Sequence, residues 1–495
     1  MKTRLPSPLP ATLAVALSLG LAGCMVGPDY HRPAVDVPAH YQPLPGWTPA
    51  SPAAAAGPKG DWWTAFHDPL LDRLEPMVSV SNQSVRQAYA NYRQALAEVR
   101  LARSGLFPVL GLTGSATRQH SASGNVSSSA GFGRSVSDSG SLEGNISWAP
   151  DLWGEVRRGI EQNTATAQAS EATLANATLS EQIALATTVI ELRINDASAE
   201  LLRQTVASDE QYLRVVTEKD RAGTVPPSDL IAARTQLENA QASLIGLGVA
   251  RAQYAHAIAV LVGKNPQDLD IPPGTALPTL PEIPVGVPST LLQRRPDIAV
   301  AERKMAAQNA AIGVAVAAYY PTVSLSAVAG FTQSPLAGLL HAANRVWSLG
   351  ADVGQTLFDG GQRSAQVDAA RAAYDAAEAN YRGTVLSAFQ NVENDLSGLH
   401  VLARQAEVLD AAVRDATRGT EIARREYEAG TVDYTTVATA QATQLSAQQS
   451  ALSVQAQRLL STASLIGDLG GGWSADALQG ASLQSPRPTP SAQPH

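Results

Sequence analysis

Along residues 322–354 the chain alternates between apolar and polar positions with a period of two. Val323, Leu325, Ala327, Ala329 and Phe331 share one parity, and Thr322, Ser324 and Ser326 share the other. Trp347, Leu349, Ala351 and Val353 then fall on one face of a return strand. This is the pattern of a strand whose two faces meet different surroundings. The same signal comes earlier, in Leu110 and Leu112 and then in Leu142, Ile146 and Trp148. It opens at Pro108, since proline is tolerated at a strand's first residue. The linker inside each strand pair is polar and glycine-rich, as in HSASGNVSSSAGFGRSVSDSG (120–140), and suits an aqueous side. Strands of about 10 residues with this alternation are what a membrane β-barrel needs. A hairpin on a soluble domain shows the same alternation, so the strands alone leave both readings open.

The helical pattern decides between them. A first helix runs from about Asn82 to Ser104. From Gly154 to Arg221 there is no proline and little glycine, which predicts one helix of roughly 100 Å. A second such stretch runs from Gln362 to about Ala429. Phe389, Val392, Leu396, Leu399, Ala403 and Ala406 alternate spacings of three and four, the seam of a coiled coil. Ile190, Ile194, Ala197 and Leu201 fit similarly. An ordinary globule has no room for such helices.

The chain is also written twice. RSGLFPVLGLTGSATRQ (103–119) parallels VAAYYPTVSLSAVAGFTQ (316–333), with Pro108 matching Pro321. DRAGTVPPSDLIAARTQLENA (220–240) parallels YEAGTVDYTTVATAQATQLSA (427–447), with Gly223 matching Gly430. The two offsets nearly agree, so one half copies the other. Each repeat reads helix, two strands, long helix, turn, helix. The predicted boundaries are 82–263 and 289–473, joined by a proline-rich connector at 264–288. Residues 24–81 are expected to be an extended segment, and 474–495 a disordered tail.

Composition and charge add limits. Only 16% of residues are charged and 5% aromatic, which suits long helices packed through small side chains. A net charge of -8 argues against nucleic acid. The eight histidines are scattered, and there is no HExxH, GxSxG or Walker loop. No catalytic residue, metal site or cofactor is therefore expected.

The one cysteine, Cys24, excludes an internal disulfide. Lys2 and Arg4 precede the apolar run Ala11–Leu21, and Ala22 and Gly23 stand just before Cys24, which predicts a cleaved signal peptide over 1–23. The Leu-Ala-Gly-Cys tetrad resembles the bacterial lipobox, which implies that Cys24 becomes the lipid-modified N-terminus. Met25 rather than Asp follows, which by the same resemblance implies the outer membrane. Past the signal no run of 18 apolar residues occurs, leaving a β-barrel as the way to span a bilayer. Four strands cannot close one, so copies of the chain are required: two would give eight strands, three would give twelve.

The segments CMVGPDYHRP, WWTAFHDPLLDRL (62–74), DLWGEVRR (151–158), LLQRRPDIAVAERKMAAQNAAIGVAVAAYYPTVSLSA (291–327) and LFDGGQRSAQV (357–367) carry a family resemblance. The chain resembles the outer membrane factors of tripartite efflux systems, the TolC-like channels, in their NodT-type lipoprotein branch. The resemblance runs from Cys24 to about Trp473. It implies a mainly α homotrimer with a shared twelve-stranded membrane barrel, a periplasmic helical barrel and an equatorial domain. It also implies a passive duct served by an inner-membrane transporter and a periplasmic adaptor. A type I protein secretion channel shares the fold and differs in its partners. A periplasmic adaptor lipoprotein would lack the paired strands.

Individual residues then acquire expected places. Gly154 and the pair Gly360-Gly361 sit where strand becomes helix, a barrel-to-tube junction with Trp148 and Trp153 near the membrane boundary. Gly223 and Gly430 end the long helices at the periplasmic tip, the expected adaptor surface. The resemblance implies acidic gate residues past these turns. Asp229 and Asp433 are present, but Thr436 and Thr439 stand where acids are common in the second repeat. Asp229 is read either as part of a carboxylate ring or as a helix cap. Arg294-Arg295-Pro296-Asp297 is read as a helix start rather than a binding motif.

Overall fold

The computed structural model of the chain describes residues 25–38, 41, 60–121, 135–281, 288–475 and 478. The signal peptide, Cys24, the centre of the first strand linker, residues 282–287 of the connector and nearly all of the tail lie outside the described residues. The helices are α1 (Pro69–Ser81), α2 (Gln83–Ser104), α3 (Glu155–Arg221), α4 (Pro227–Leu261), α5 (Pro296–Ala317), α6 (Gln362–Glu428) and α7 (Tyr434–Asp468). The strands are β1 (Val109–Ser121), β2 (Ser135–Trp148), β3 (Thr322–Gln333) and β4 (Arg345–Gly354). The duplication is visible in helix lengths: α2 and α5 have 22 residues, α3 and α6 have 67, α4 and α7 have 35. Two units divide the chain, one of residues 1–33, 93–167 and 302–379, the other of 34–92, 168–301 and 380–495.

The first unit holds the sheet. All neighbours are antiparallel in the order β1-β2-β3-β4, so β1 and β4 are edges. The register aligns apolar positions in rows. Leu110 faces Ile146, Ile146 faces Ala327, and Ala327 faces Leu349. Leu112, Gly144, Ala329 and Trp347 make the next row. The opposite face carries Thr113, Glu143, Asn145, Ser326, Ser348 and Asp352. Leu110, Leu112, Trp347, Leu349 and Val353 are all more than 70% exposed, so none of the described residues covers the apolar face. β1 and β2 run further than the alternation predicts, because the ladder continues through His120 and Val136 into the serine-rich linker. Backbone bonding extends the strands where side chains give no signal.

In the second unit the core joins the N-terminal segment to the helices. Trp62, Phe66, Leu71, Leu74 and Val78 pack with Leu185, Val189 and Ile190 of α3, Ile258 of α4, and Leu459 and Ile466 of α7. This corrects the expectation of an extended segment over 24–81, since Trp62–Phe66 is a 3-10 turn and α1 follows. Asp68 caps α1 through the Leu70 and Leu71 amides, Pro69 takes the first turn, and one apolar face turns inward.

Each short helix begins where another ends. Asn82 caps α2 with its Oδ1 and donates Nδ2–H to the Leu261 carbonyl, 2.9 Å, at the end of α4. Arg295 does the corresponding work for α5, binding Asp297 through Nη2 at 2.7 Å and donating Nη1–H to the Asp468 carbonyl at 2.8 Å. Pro296 is the first residue of α5, so the Arg-Arg-Pro-Asp motif is a helix start. On the long helices, Phe389, Val392, Leu396 and Ile190 are buried, while Leu399, Ala403, Ala406, Ile194, Ala197 and Leu201 are half-buried. One expectation changes here. By length and composition α4 is apolar enough to cross a membrane, although little of it is buried within the chain. Its exposed Ile231, Ile245, Val249 and Val260 lie on one stripe of the helix.

Candidate functional site

Two places carry the predicted site residues. At the junction in the first unit, Gly154, Gly360 and Gly361 have φ of 86°, 63° and 94°, conformations that side-chain-bearing residues rarely adopt. An aspartate fastens each corner. Asp151 accepts from the Val156 and Arg157 amides and from the Arg157 guanidinium at 3.0 Å. Asp359 accepts from the Gly361 and Arg363 amides and from the Arg363 guanidinium at 2.6 Å. Two tryptophans tie the first corner and the end of β2 to the segments that enter β3 and β1: Trp153 Nε1 donates to the Pro321 carbonyl at 2.7 Å, and Trp148 Nε1 donates to the Leu106 carbonyl at 3.1 Å. Trp153 also stacks on Tyr320 with centroids 4.9 Å apart.

The other place is the turn region of the second unit. Both long helices end in the same paired-bond motif. Gly223 N–H reaches the Asp220 carbonyl and Thr224 N–H reaches Lys219; Gly430 N–H reaches Tyr427 and Thr431 N–H reaches Glu426. Gly223 and Gly430 hold φ of 69° and 75°. Asp433 caps α7, accepting from the Thr436 amide at 3.2 Å and from the hydroxyls of Thr435 and Thr436. These bonds hold its carboxyl below the usual range, led by the Thr435 hydroxyl. Thr439 donates its hydroxyl to the Thr435 carbonyl.

Asp229 is not a cap. The N-cap of α4 is Pro226, no side chain caps it, and Asp229 is 5% exposed. Its charge instead acts on two tyrosine phenols, Tyr427 and Tyr434. Those tyrosines, with Tyr212, Val216, Ala233, Ala423 and Val437, form a cluster drawn from α3, α4, α6 and α7. The phenol oxygens of Tyr212, Tyr427 and Tyr434 and both carboxylate oxygens of Asp209 are buried without a hydrogen-bond partner. Burial pushes the Asp209 carboxyl up to about 6. Burial, then the Asp209 charge, pushes the Tyr434 phenol up. Lys219 Nζ lies 4.0 Å from the Tyr427 ring centroid and donates to the Tyr427 carbonyl at 3.0 Å. Sequence reasoning placed Gly223, Asp229, Gly430 and Asp433 at the turns and missed Asp209, Tyr212, Tyr427 and Tyr434. Tyr427 and Tyr434 flank the Gly430 turn by three and four residues, which was the available signal.

Long duplicated helices, and a sheet with one apolar face and two open edges, are the parts expected of a membrane channel subunit. The chain belongs to the outer membrane efflux protein family, whose sequence pattern matches residues 76–264 and 287–471. It is 31% identical over 475 residues to the probable efflux pump outer membrane protein TtgC of Pseudomonas putida, covering 94% of this chain and 97% of that one. It is 29% identical over 482 residues to the outer membrane protein OprJ of Pseudomonas aeruginosa, covering 94% and 95%. Among solved structures it resembles the outer-membrane channel OprN, with a TM-score of 0.80, 29% identity, and coverage of 91% of this chain and 100% of that one. The open state of the Neisseria gonorrhoeae MtrE outer membrane channel gives 0.79, 27%, 91% and 99%. The chain is thus an outer membrane efflux channel component with a TolC-like fold.

Proposed function

We propose that three copies of the chain close one twelve-stranded barrel and serve as the passive exit duct of a tripartite pump. The observation that carries this is the four-stranded sheet, with β1 and β4 unpaired at their outer sides and an uncovered apolar face. In lipid an open edge leaves backbone groups without partners, so β4 of one copy pairs with β1 of the next. The helices give the matching seam. α2 leads into β1 and meets the end of α4 through the Asn82–Leu261 bond, while α6 leaves β4. Exposed Ile231, Ile245, Val249 and Val260 on α4 suit exposed Leu386, Val401, Val408 and Ile422 on α6 of the next copy. TtgC and OprN are an efflux pump protein and an outer-membrane channel by name, which supports the transport reading. Small molecules are passed on by an inner-membrane transporter and its periplasmic adaptor, with no chemical step.

The turns at Gly223 and Gly430 are the closable periplasmic end and the adaptor surface, with Asp433, Thr436 and Thr439 exposed beside them. Asp229 acts on closure through the tyrosines it faces, and Asp229→Asn is expected to raise conductance in planar bilayers. Gly154, Gly360 and Gly361 form the barrel-to-helix junction. Cys24 carries the lipid anchor, and Cys24→Ser is expected to lose acyl labelling while the channel still assembles. Mass analysis of detergent-solubilised protein tests the assembly: a trimer is expected, and a stable monomer without β-barrel circular dichroism would overturn the proposal.

A further inference from the structure

Residues Met25–Tyr30 form no helix or strand, yet side chains from α3 and α5 hold them closely. Val26 N–H donates to the Trp153 carbonyl at 3.1 Å. Arg158 supplies three further bonds, from Nε to the Val26 carbonyl at 3.0 Å and from Nη2 to the Gly27 carbonyl at 3.1 Å and to Asp29 at 2.9 Å. Its Nη1 is held by Glu161 at 2.7 Å. From α5, Asn309 Nδ2 donates to the Pro28 carbonyl at 3.0 Å, and Glu302 accepts from the Tyr30 hydroxyl at 2.5 Å. The Arg158 side chain is only 1% exposed, so a buried guanidinium is spent on an irregular segment. Such a charge is costly to bury and is retained where its hydrogen bonds are fully used.

Shape confirms the fit. A Cβ on Gly27 would run into the Gly313 backbone, one on Gly313 would come within 2.8 Å of the Arg158 side chain, and one on Gly154 would come within 2.6 Å of Met25. Gly27 also holds φ of 92°. Three glycines from distant parts of the sequence thus make room for one backbone.

We propose that this is a seat for the mature N-terminus, with Arg158 as its positioning residue. It fixes the depth at which a group carried on residue 24 meets the strand-to-helix corner. Met25 lies against Gly154, and the neighbouring Trp153, whose carbonyl accepts from Val26, stacks on Tyr320. Aromatic rings of this kind suit the membrane–water boundary. The anchor is then a pin at the corner of each subunit rather than a loose tether. What the pin carries rests on the reading of Cys24 as acylated; the seat itself does not.

The test uses the full-length protein with His31→Cys bearing a nitroxide label, in lipid vesicles, read by electron paramagnetic resonance. His31 is exposed and lies next to the last seated residue. A largely immobilised spectrum is expected. Adding Arg158→Met, or separately Gly27→Ala, is expected to convert it to a mainly mobile one while the oligomer persists. Gly27→Ala alters only the seated segment, so it keeps the test decisive if Arg158→Met fails to accumulate. A label already mobile in the parent, or equally immobile in both variants, would overturn the seat. Acyl labelling of the same samples, with the spectrum repeated in a Cys24→Ser background where position 31 holds the one thiol, separates the two ideas: an immobile label without acylation removes the anchor and leaves the seat, and a mobile label with acylation does the reverse.

Discussion

Glu75 is a single residue working against the core around it. It is fully buried in α1, both carboxylate oxygens lack a partner, and burial raises its pKa to about 9. A folded-state pKa above the unfolded value means that stability is greatest below the ordinary carboxyl value of 4.5 and is lost as pH rises through about 9. Replacing Glu75 with leucine is therefore expected to raise the melting temperature at pH 8 and to flatten its fall with pH, as thermal unfolding in detergent would show. Gly223 and Gly430 predict the opposite direction. Open space surrounds both, so an added Cβ costs only backbone strain, about 1–2 kcal/mol each. Faster hydrogen exchange confined to the turns in Gly223→Ala and Gly430→Ala would display it. The turn glycines were legible in the sequence because a local rule demands them. Glu75 was not, since no local pattern shows that a charged residue on α1 will be fully buried.

Among elements, the two helical hairpins are joined by the tyrosine cluster, and Asp209 makes that join sensitive to acidity. The groups around it are Asp229, Tyr212, Tyr427 and Tyr434, with Arg424 on the Tyr212 ring, Lys219 on the Tyr427 ring, and Glu428 near Tyr212. Protonated, Asp209 is a neutral buried group; ionised, it is a buried charge without a partner. Its pKa of about 6 lies above 3.8, so the join weakens as pH rises through about 6. Higher protection factors of the turn amides at pH 5 than at pH 7.5, after division by the intrinsic base-catalysed rate at each pH, are expected, and Asp209→Asn should remove the difference. The long helices were legible almost to the residue, because nothing interrupts 155–221 or 362–428. The meeting of Asp209 with Tyr434 was not, because it joins separate helices by tertiary packing.

At the scale of the molecule, alternation and duplication were enough to foresee the sheet, and its register brings the apolar rows into line across all four strands. Leu349 lies mid-strand on that exposed face, so Leu349→Arg would place a charge against lipid, at about 2–4 kcal/mol near the bilayer centre. Loss of heat-resistant oligomer on unboiled gels, with normal export of the chain, would show it. The seat for residues 25–30 was hidden despite its quoted motifs, because CMVGPDYHRP and DLWGEVRR lie far apart in sequence and only folding sets Arg158 against Val26.

A sheet left open at both sides also has a genetic meaning. If three copies close the barrel as proposed, a cell producing equal amounts of sound and faulty subunits would assemble wholly sound channels only about one time in eight. Lesions on β1 or β4 that spare pairing but spoil passage should therefore behave as dominant alleles, whereas those that abolish pairing should be recessive.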